Sequence, residues 1–556
     1  MSFDSDASIF VDVHLLSGKH ASVEVEADAS VESLKHRAQT ALAVRGWLLN
    51  SSGEVLDGAQ TVREAKLMSG DVLTLHVKQV RVKANNGHDN SFSAFAALQG
   101  DGSVVTWGDN YGGDSSAVQD QLRDVQQIQA SDSAFAAILG DGSVVTWGSA
   151  RSIAVQAQLT NVQQIQASDR AFSAVLGDGS VVTWGHAGFS HDCSEVQEQL
   201  RDVKQIQASS RAFAAILGDG SVVTWGNERF GGDCSAVQDQ LQDVQQIQAS
   251  INAFAAIRGD GSVVTWGNPR FGGDCSAVQD QLRDVQQIQA SRGAFAAILD
   301  DGSVVTWGDA DLGGDSRGAR HQLRDVQQIQ ASSRAFAAIL GDGSVVTWGY
   351  PHFGGDSSAV QEQLRDVQQI QASGFAFAAI LGDGSVVTWG DATFGGDSSV
   401  IQAQLKNVQQ IQASERAFAA ILGDGSVVTW GGDDWGGDSS TVLDQLRDVQ
   451  QIQSSRSAFA AILSDKSSPF RSKAVPGIGV AAYLQRIATY FQCHDSCHVI
   501  ALIFIDRLVK TRPDIISVNK LTIHRLLGAV TVVAAKIHDD HVFRNATRPF
   551  IGSSLK

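Results

Sequence analysis

Two cysteines and two histidines fall within six residues of the segment FQCHDSCHVIALIFIDRL, which begins at Phe491. These residue types bind zinc, but the ligands of a structural zinc site occur in pairs at a defined spacing, and no second cysteine pair follows. Cys493 and Cys497 straddle the start of a predicted buried helix. His494 and His498 are too close in sequence for all four side chains to bind one ion. We therefore expect no metal site and no cofactor.

The composition is that of an ordinary soluble protein with several domains. The chain has 556 residues, of which 43% are hydrophobic and 18% charged. A formal charge of −18 argues against binding of nucleic acid or anionic membranes over most of the chain. No apolar run approaches the roughly 20 residues of a membrane span, and the acidic start resembles no secretory signal. Five cysteines are too few for a disulfide framework, which predicts a cytoplasmic or nuclear location.

A tryptophan phrase repeats through the middle of the chain. Nine tryptophans are spaced by 40, 37 and then six times 41 residues: Trp107, Trp147, Trp184, Trp225, Trp266, Trp307, Trp348, Trp389 and Trp430. Such a period predicts stacked supersecondary units. In residues 203–241, the segments VKQIQA, AFAAIL and SVVTW are typical of strands, and AVQDQL is a candidate fourth. Asp219-Gly220 predicts a tight type I′ hairpin. The recurring aspartates could alternatively bind calcium or phosphate, but the hairpin explains them without a ligand.

The recurring DGxVxxWG, with its preceding alanine-rich strand, resembles the repeats of the regulator of chromosome condensation family over about residues 77–463. The short period is similar to the bacterial β-lactamase-inhibitor relatives. The resemblance implies a closed β-propeller, usually of seven blades. Nine tryptophan units and ten alanine-rich strands leave open a larger ring and an open spiral.

Two places differ from unit to unit: the pair before the Ala-Phe strand and the residues after Trp-Gly. In an antiparallel meander both places lie at one end of the sheet, and the GDGS turn lies at the other. We predict a partner-binding face there, with neutral drift in solvated loops as the alternative. The candidate residues are Tyr111, Arg170, Arg211, Arg229, Asn252, His352, Arg416 and Trp435. Cys193, Cys234 and Cys275 share one slot, which indicates duplication rather than a metal site.

The N-terminal region contains two alternating strands, IFVDVHLL and ASVEVEA, then a helix with Ser30 as its N-cap and a closing strand in GDVLTLHVKQV. This order, the SGK turn and the closing strand resemble the ubiquitin-like β-grasp fold. No Gly-Gly pair follows, so we expect a built-in docking domain rather than a domain that is conjugated to targets.

The C-terminal region is predicted to be an all-α bundle. Its helices are VAAYLQRIATYF, a buried helix that begins near Ser496, and a third with an apolar stripe from Ile523 to Ile537. From Ala474 onward there are ten Lys or Arg residues against five Asp or Glu residues, so this region is basic within an acidic chain. The segments YLQRIATYF, IDRL, HRLL and AAKIHDD resemble the cyclin box, most closely that of the P/U-type cyclins of the phosphate-response group.

The cyclin resemblance implies a non-catalytic protein that binds a cyclin-dependent kinase. The family's framework positions fall on Arg486, Asp506, either Leu526 or Leu527, and Lys536. Lys536 would face the kinase, and Asp506 would hold the box together with Arg486. Alternatively, Asp506 pairs with Lys510 on its own helix, and Lys536 only occupies a helix C-terminus. The chain ends before the family's fifth helix and its glutamate, so we expect kinase binding rather than kinase activation.

The predicted architecture is multidomain: a β-grasp domain at 1–78, an all-β propeller of about nine short repeats at 79–464, a linker at 465–477 and an all-α partial cyclin box at 478–556. The favoured function is a scaffold that presents the propeller face to an unknown protein and the cyclin surface to a kinase. The alternatives are a ubiquitin-pathway adaptor, similar to the propeller part of large ubiquitin ligases, and an exchange factor for a small GTPase. No set of nucleophile, base and acid stands out, so we expect no enzyme. Nucleic acid and membrane partners are not expected.

Overall fold

The structure is a computed structural model that describes residues 8–15, 20–42, 46–51, 54–56, 58, 60–76, 79–85, 93–109, 112–149, 152, 154–186, 192–463 and 532–534. These residues form a mixed sheet with one α-helix and ten three-stranded sheets. Several predicted features lie outside the described residues: the linker, the segment with the paired cysteines and histidines, all of the cyclin-box framework residues, and Tyr111. Of the predicted cyclin box, only residues 532–534 are described. Within the described ranges, no helix has the length and hydropathy that a membrane crossing requires.

The first domain is a four-stranded sheet covered by a helix. It contains β1 (Ser8–His14), β2 (His20–Glu26), α1 (Val31–Leu42), β3 (Trp47–Leu49) and β4 (Val72–His76). The strand order is β2-β1-β4-β3, with β1 antiparallel to β2 and parallel to β4. Alternate Val and Leu side chains of the strands pack against the buried face of α1. Ser30 Oγ accepts a hydrogen bond from the Ser33 N–H at 3.2 Å, as the predicted N-cap requires.

Ten antiparallel sheets follow, called blades 1 to 10 in chain order. Blades 1 to 5 contain β5 (Arg81–Ala84), β6 (Ala94–Leu98), β7 (Val104–Gly108); β8 (Val125–Ala130), β9 (Ala134–Leu139), β10 (Val144–Gly148); β11 (Val162–Ala167), β12 (Ala171–Leu176), β13 (Val181–Gly185); β14 (Val203–Ala208), β15 (Ala212–Leu217), β16 (Val222–Gly226); β17 (Val244–Ala249), β18 (Ala253–Arg258) and β19 (Val263–Gly267). Blades 6 to 10 contain β20 (Val285–Ala290), β21 (Ala294–Leu299), β22 (Val304–Gly308); β23 (Val326–Ala331), β24 (Ala335–Leu340), β25 (Val345–Gly349); β26 (Val367–Ala372), β27 (Ala376–Leu381), β28 (Val386–Gly390); β29 (Val408–Ala413), β30 (Ala417–Leu422), β31 (Val427–Gly431); β32 (Val449–Ser454), β33 (Phe459–Leu463) and β34 (Val532–Ala534).

The hairpin between the second and third strands has three loop residues rather than two. In blade 4 the Leu217 N–H donates to the Ser221 carbonyl at 2.9 Å, and the Gly220 N–H donates to the Leu217 carbonyl at 3.0 Å. Gly220 has a φ of +79°, whereas Asp219 is not left-handed. The prediction of a type I′ turn is wrong, because that turn needs two residues with positive φ. The loop is a type I turn that ends in a left-handed glycine.

The same turn joins each blade to the next. The Gly220 carbonyl accepts a hydrogen bond from the Val244 N–H at 2.8 Å, and the equivalent bond recurs at all nine junctions along the chain from blade 1 to blade 10. A Cβ on Gly220 would lie 2.9 Å from the Cα of Asp243. Asp219 Oδ1 accepts hydrogen bonds from the N–H and hydroxyl of Ser221 at 2.9 and 2.7 Å. The turn is therefore uniform for structural reasons, and its aspartate caps the loop.

The hydrophobic core lies between the blades. Phe254 and Trp266 of blade 5 stack at 5.3 Å and pack against the small side chains of Ala212 and Ala214 in blade 4. The Trp266 Nε1–H donates to the Gly231 carbonyl, in the loop that follows blade 4, at 3.1 Å. Small residues on one face and large aromatics on the other thus make each blade complementary to its neighbour.

Short 3-10 helices, rather than a fourth strand, cover the outer edge of blades 1 to 5 and of blade 9, and turns take the same place after blades 6 to 8. The helices are Ser116–Gln121, Gln156–Gln158, Ser194–Val196, Ser235–Gln240, Gln279–Gln281 and Leu443–Gln445. Gln238 Nε2 donates to the Val222 carbonyl at 3.0 Å, so a side chain supplies a hydrogen bond that a fourth strand would have made. The AVQDQL segment is for this reason not a strand, and the outer edge is protected from pairing with other chains.

The ring closes between blade 10 and blade 1. The first strands of successive blades lie side by side, and β32 lies beside β5 in the same way. The Ser93 Oγ of blade 1 lies 2.6 Å from the Ser457 Oγ and accepts a hydrogen bond from the Ser455 hydroxyl at 2.9 Å. Among the alternatives left open by the sequence, the structure has the larger closed ring, with ten blades rather than the usual seven.

The third strand of blade 10 comes from the C-terminal region. In β34 the residues Val532, Val533 and Ala534 pair with Ile462, Ala461 and Ala460 of β33. The sequence predicted a helix across these three residues, and the structure has a strand instead. The repeats end at Leu463 and leave the edge of β33 open, and a pair of β-branched valines suits such an edge.

Candidate protein-interaction face

The two variable places of the repeat meet at one end of the ring. In blade 4 the Asn227 N–H, just after Trp-Gly, donates to the Arg211 carbonyl at 3.0 Å. The Ser209 hydroxyl, just before the variable pair, donates to the Phe230 carbonyl at 2.8 Å. The same serine bond occurs in four further blades: Ser250–Phe271, Ser291–Leu312, Ser332–Phe353 and Ser414–Trp435. The variable pairs and the loops after Trp-Gly thus form one surface, called the variable face.

A chain of backbone hydrogen bonds runs around the mouth of the central channel on this face. The first residue of each variable pair donates its N–H to the carbonyl of the equivalent residue in the next blade, at 2.8 to 3.3 Å. The participants are Asp132, Asp169, Ser210, Ile251, Arg292, Ser333, Gly374, Glu415 and Arg456. Because only backbone atoms make these bonds, the side chains can differ while the rim keeps one geometry. This is a rigid frame that carries variable groups.

A cavity of about 550 Å³ lies within the mouth of the channel. Its walls are the last residue of the first strands, the serine that follows, and the first residue of the variable pair, from blades 2 to 8. Asp132, Asp169 and Arg292 supply the only charged side chains among the lining residues. The cavity is thus lined mainly by alanine and serine.

Aromatic rings and one arginine link the loops of blades 7 to 9. Phe353 stacks on Phe375 with ring centroids 4.7 Å apart, and Phe375 lies 4.9 Å from Phe394. The guanidinium of Arg416 lies 5.1 Å from the Phe375 centroid, 4.7 Å from Phe394 and 4.4 Å from Trp435. Such cation–π contacts are individually modest, but three of them fix Arg416 between the loops. The loops of three blades therefore act as one ordered surface.

The candidate residues from the sequence divide into exposed and supporting positions. Arg211, Arg229 and His352 are exposed on the variable face, and Arg211 lies over the Phe230 ring at 5.1 Å. Arg170 and Asn252 are half-buried in their variable pairs, with Arg170 accepting the His186 N–H through its carbonyl at 3.0 Å. Trp435 was a candidate for partner contact, but its side chain is only 8% exposed and supports Arg416 from below. Tyr111 lies outside the described residues.

Several contributors to the face were not among the candidates. Glu415 and Arg456 form an ion pair between the variable pairs of blades 9 and 10, with side chains only 15% and 17% exposed. Arg334 lies over the rings of Tyr350 and Phe353 at 5.9 and 4.9 Å. All of these residues occupy the variable places, so the comparison of repeats could have found them. The sequence does not show which side chains of neighbouring blades contact one another.

The three cysteines in one slot are part of the blade scaffold. The Cys234 thiol contacts Gln238 Oε1 at 3.0 Å, and a serine in the same slot of another blade, Ser357, contacts Gln361 Oε1 at 2.9 Å. Burial raises the pKa of the Cys234 thiol above its ordinary value. In the part of the chain that the structure describes, no group of three or more His, Cys, Asp or Glu side chains is placed to hold a metal ion.

Comparison with known protein families identifies the two ends of the chain. A ubiquitin family profile matches residues 9–80, and a cyclin profile matches residues 439–550. The chain therefore has a ubiquitin-family domain at its N-terminus and a cyclin box at its C-terminus, as the sequence resemblances predicted. The cyclin match begins within the last repeats and includes the strands of blade 10, whereas the prediction placed the start of the box at residue 478.

The cyclin-like relatives are plant proteins of the P and U types. Cyclin-U4-2 of Arabidopsis thaliana is 33% identical over 85 residues, which is 15% of this chain and 39% of the relative. Cyclin-P4-1 of Oryza sativa subsp. japonica is 37% identical over 79 residues, 14% of this chain and 37% of the relative. Cyclin-U1-1 of Arabidopsis thaliana is 40% identical over 76 residues, 14% of this chain and 36% of the relative. The chain spans less than half the length of these relatives.

Two of the solved structures that resemble this chain have low sequence identity to it. Prp20p from Saccharomyces cerevisiae has a TM-score of 0.29 and 15% identity, and the match covers 51% of this chain and 74% of that one. The CRINKLY WD40 ectodomain of the Arabidopsis thaliana receptor kinase ACR4 has a TM-score of 0.28 and 18% identity, covering 48% of this chain and 94% of that one.

Proposed function

We propose that this chain is a non-catalytic scaffold whose variable face binds a protein partner and whose cyclin-like region binds a cyclin-dependent kinase. Binding of a protein partner by the variable face is supported by the positions at which the repeats differ from one another. The strands, the GDGS turns and the inter-blade bonds are nearly uniform, while the side chains that differ most are gathered on one face of the ring. A rigid frame with one variable face is the arrangement typical of a binding surface.

The chemistry of the variable face favours a protein over a small ligand. Aromatic residues and arginine dominate the centres of protein–protein interfaces, because they give large contact area at low entropic cost. Here Tyr350 is 37% exposed beside the exposed His352, and Arg334 lies over the Tyr350 ring. The cavity at the channel mouth offers mainly alanine and serine, which supply little affinity for a compact molecule.

The kinase half rests on the cyclin match and on the plant cyclin relatives. We assign Lys536 to the kinase-facing surface and Asp506 to an internal contact with Arg486, following the cyclin resemblance. The competing assignment, in which Asp506 pairs with Lys510 and stabilises only its own helix by a few tenths of a kcal/mol, predicts no effect on kinase binding.

Affinity capture of the full chain from its native extract, with identification of bound proteins by mass spectrometry, tests both halves. The kinase half is probed by the double variant Asp506→Lys, Lys536→Glu, which should lose a cyclin-dependent kinase and retain other partners. The ring half is probed by Tyr350→Ala, His352→Ala, which should lose a different partner and retain the kinase. The control is Leu443→Ala, an exposed apolar residue on the outer edge of the ring, 50% exposed against 37% for Tyr350. Capture that is identical for all variants would refute the proposal.

The ubiquitin-family domain favours a second function, that of an adaptor in a ubiquitin pathway. Phe10, Met68 and Val72 are 51%, 68% and 51% exposed. The Gly70 N–H donates to the Phe10 carbonyl at 2.8 Å, so the backbone segments that carry these side chains lie side by side. An adaptor would capture ubiquitin-ligase or proteasome subunits through such a surface, and Phe10→Asp, Val72→Asp would abolish that capture. If the captured set contains no such protein, the scaffold proposal stands alone.

A further inference from the structure

Exposed arginines follow the variable face through blades 4 to 7. Counting the variable pair and the four residues after each Trp-Gly, these blades carry five arginines and three acidic residues. The arginines are Arg211, Arg229, Arg270, Arg292 and Arg334, and all five are exposed. The acidic residues are Glu228, Asp309 and Asp311. In a chain whose formal charge is −18, this set of arginines, called the basic arc, is a local reversal of sign.

Aromatic rings hold two of these arginines in place. The Arg211 guanidinium lies 5.1 Å from the Phe230 centroid, and the Arg334 guanidinium lies 4.9 Å from the Phe353 centroid. Stacking on a ring uses the flat face of the guanidinium and leaves its N–H edge directed to solvent. A guanidinium held in this way can donate two parallel hydrogen bonds to a carboxylate or a phosphoryl group with little further loss of entropy.

The positive charge of the arc is only partly neutralised within the chain. Arg270 Nε lies 2.6 Å from Asp309 Oδ2. In the described ranges, none of Arg229, Arg292 and Arg334 forms an ion pair with a carboxylate. Three of the five arginines are therefore available to an external anion.

The next blades carry the opposite charge. The equivalent places of blades 8 and 9 contain Asp391, Asp433, Asp434 and Glu415. Their two nearby arginines are already engaged, Arg416 between aromatic rings and Arg456 with Glu415. An acidic ligand would be attracted to blades 4 to 7 and repelled by blades 8 and 9, which restricts where it lies on the ring.

We infer that the basic arc binds an acidic segment of a protein partner, held by the side chains of Arg229, Arg292 and Arg334. This rests on the proposed function, since it names the chemistry of the partner at the variable face. Nucleic acid is disfavoured, because three acidic residues lie among the arginines of the arc and the surrounding chain is strongly acidic, so a polyanion would meet repulsion beyond the arc. A short acidic segment needs only the arc itself.

The direct test measures binding of a fluorescein-labelled polyglutamate peptide of about ten residues to the full chain by fluorescence anisotropy at low salt. The test variant is Arg229→Glu, Arg292→Glu, Arg334→Glu. The matched control is Arg283→Glu, Arg324→Glu, Arg365→Glu, which reverses three exposed arginines at the opposite end of the first strands, next to the GDGS turns. We expect the test variant to bind about tenfold more weakly or worse, because three exposed ion pairs become repulsions, and the control to bind within about twofold of the parent.

The salt dependence, the comparison of the two variants and the binding of RNA all test the inference. Binding should weaken as salt rises, because the contacts are exposed to solvent. Equal loss in the test and control variants would overturn the inference, and so would tighter binding of single-stranded RNA of about ten nucleotides than of the peptide. Arg229→Glu alone keeps the test valid if the triple variant fails to fold, since it should still weaken binding.

Affinity capture separates failure of this inference from failure of the proposed function. The basic-arc variant is compared with Asp433→Lys, Asp434→Lys, which reverses charge on the acidic part of the same face. Loss of the ring partner in the basic-arc variant supports the inference. Loss only in the Asp433→Lys, Asp434→Lys variant overturns it and leaves the scaffold standing. A partner set that neither variant changes overturns the inference, and it contradicts the scaffold proposal as well only if Tyr350→Ala, His352→Ala also leaves the partner set unchanged.

Discussion

Substitution of Trp307 by phenylalanine, compared with the same substitution at Trp184, isolates the hydrogen bond that clamps each blade to the one before it. The Trp307 Nε1–H donates to the Gly272 carbonyl at 3.1 Å, whereas Trp184 Nε1 is buried and has no hydrogen-bond partner within the described residues. The two indoles are otherwise alike. They are 4% and 2% exposed, and they stack on Phe295 and Phe172 at 5.2 and 5.4 Å.

The cause of the difference lies in the loop of the preceding blade. The loop after blade 5 reads NPRFGGD and supplies the Gly272 carbonyl, while the loop after blade 2 reads SARSI and lacks the Gly-Gly-Asp element. Both substitutions remove the same apolar atoms from a buried site. Trp307→Phe also leaves a carbonyl without its donor, which costs about 1 to 3 kcal/mol, and Trp184→Phe removes a donor that has no partner among the described residues. We therefore expect Trp307→Phe to destabilise the protein by about 2 kcal/mol more than Trp184→Phe.

The assay is urea unfolding followed by far-UV circular dichroism, with free energies compared only if the dependence on urea is unchanged. Because a ring of repeats can lose one blade at a time, hydrogen exchange of the strand amides in blades 3 and 6 provides a local reading of the same difference. Equal destabilisation by the two substitutions, within about 0.5 kcal/mol, would refute the claim that the Gly-Gly-Asp loop acts as a clamp.

Three further outcomes follow from the contacts. Glu415→Ala should cost about 3 kcal/mol by removing the carboxylate that forms an ion pair with the largely buried Arg456, and a double-mutant cycle with Arg456→Ala should show strong coupling in urea unfolding. Hydrogen bonds from the Ser221 hydroxyl and N–H lower the pKa of Asp219 below its ordinary 3.8. The contribution of these hydrogen bonds to the stability of the folded state is complete above pH 3.8 and is lost as the pH falls through the lowered pKa. Substitution of the turn aspartates by Asn should therefore make the melting temperature depend less on pH at acidic pH. Cys234→Ser should leave the melting temperature nearly unchanged, because serine fills this slot elsewhere, and the native thiol should react with a thiol reagent at pH 8 far more slowly than in urea.

Local patterns in the sequence were sufficient to predict most of the strands and the N-terminal helix, but not how the blades assemble into a ring. Alternation and the tryptophan period predicted the three strands of blades 1 to 9, whereas the third strand of blade 10 was predicted as a helix. Ser30 predicted the start of α1. The turn at Asp219-Gly220 was misassigned, because a two-residue and a three-residue loop differ only in how the strands are paired. The number of blades depends on how closely alanine-rich and aromatic faces pack, which no single repeat records.

The sequence predicted where the variable residues lie on the ring, but not what each side chain contacts. Comparing the repeats located the variable places, and the structure brings them to one face. Trp435 was chosen for contact with a partner and turned out to be buried beneath Arg416, because the sequence does not show how one loop folds over another. The cyclin-box framework residues lie outside the described residues, so their roles remain predictions.

The measurement that tests the scaffold most directly is sequential affinity capture, first through a tag on the full chain and then through the kinase. If one molecule holds both partners, the second step should retain a protein whose presence depends on Tyr350 and His352 of the variable face. Recovery of the kinase and the ring partner only in separate complexes, never on the same chain, would contradict the account.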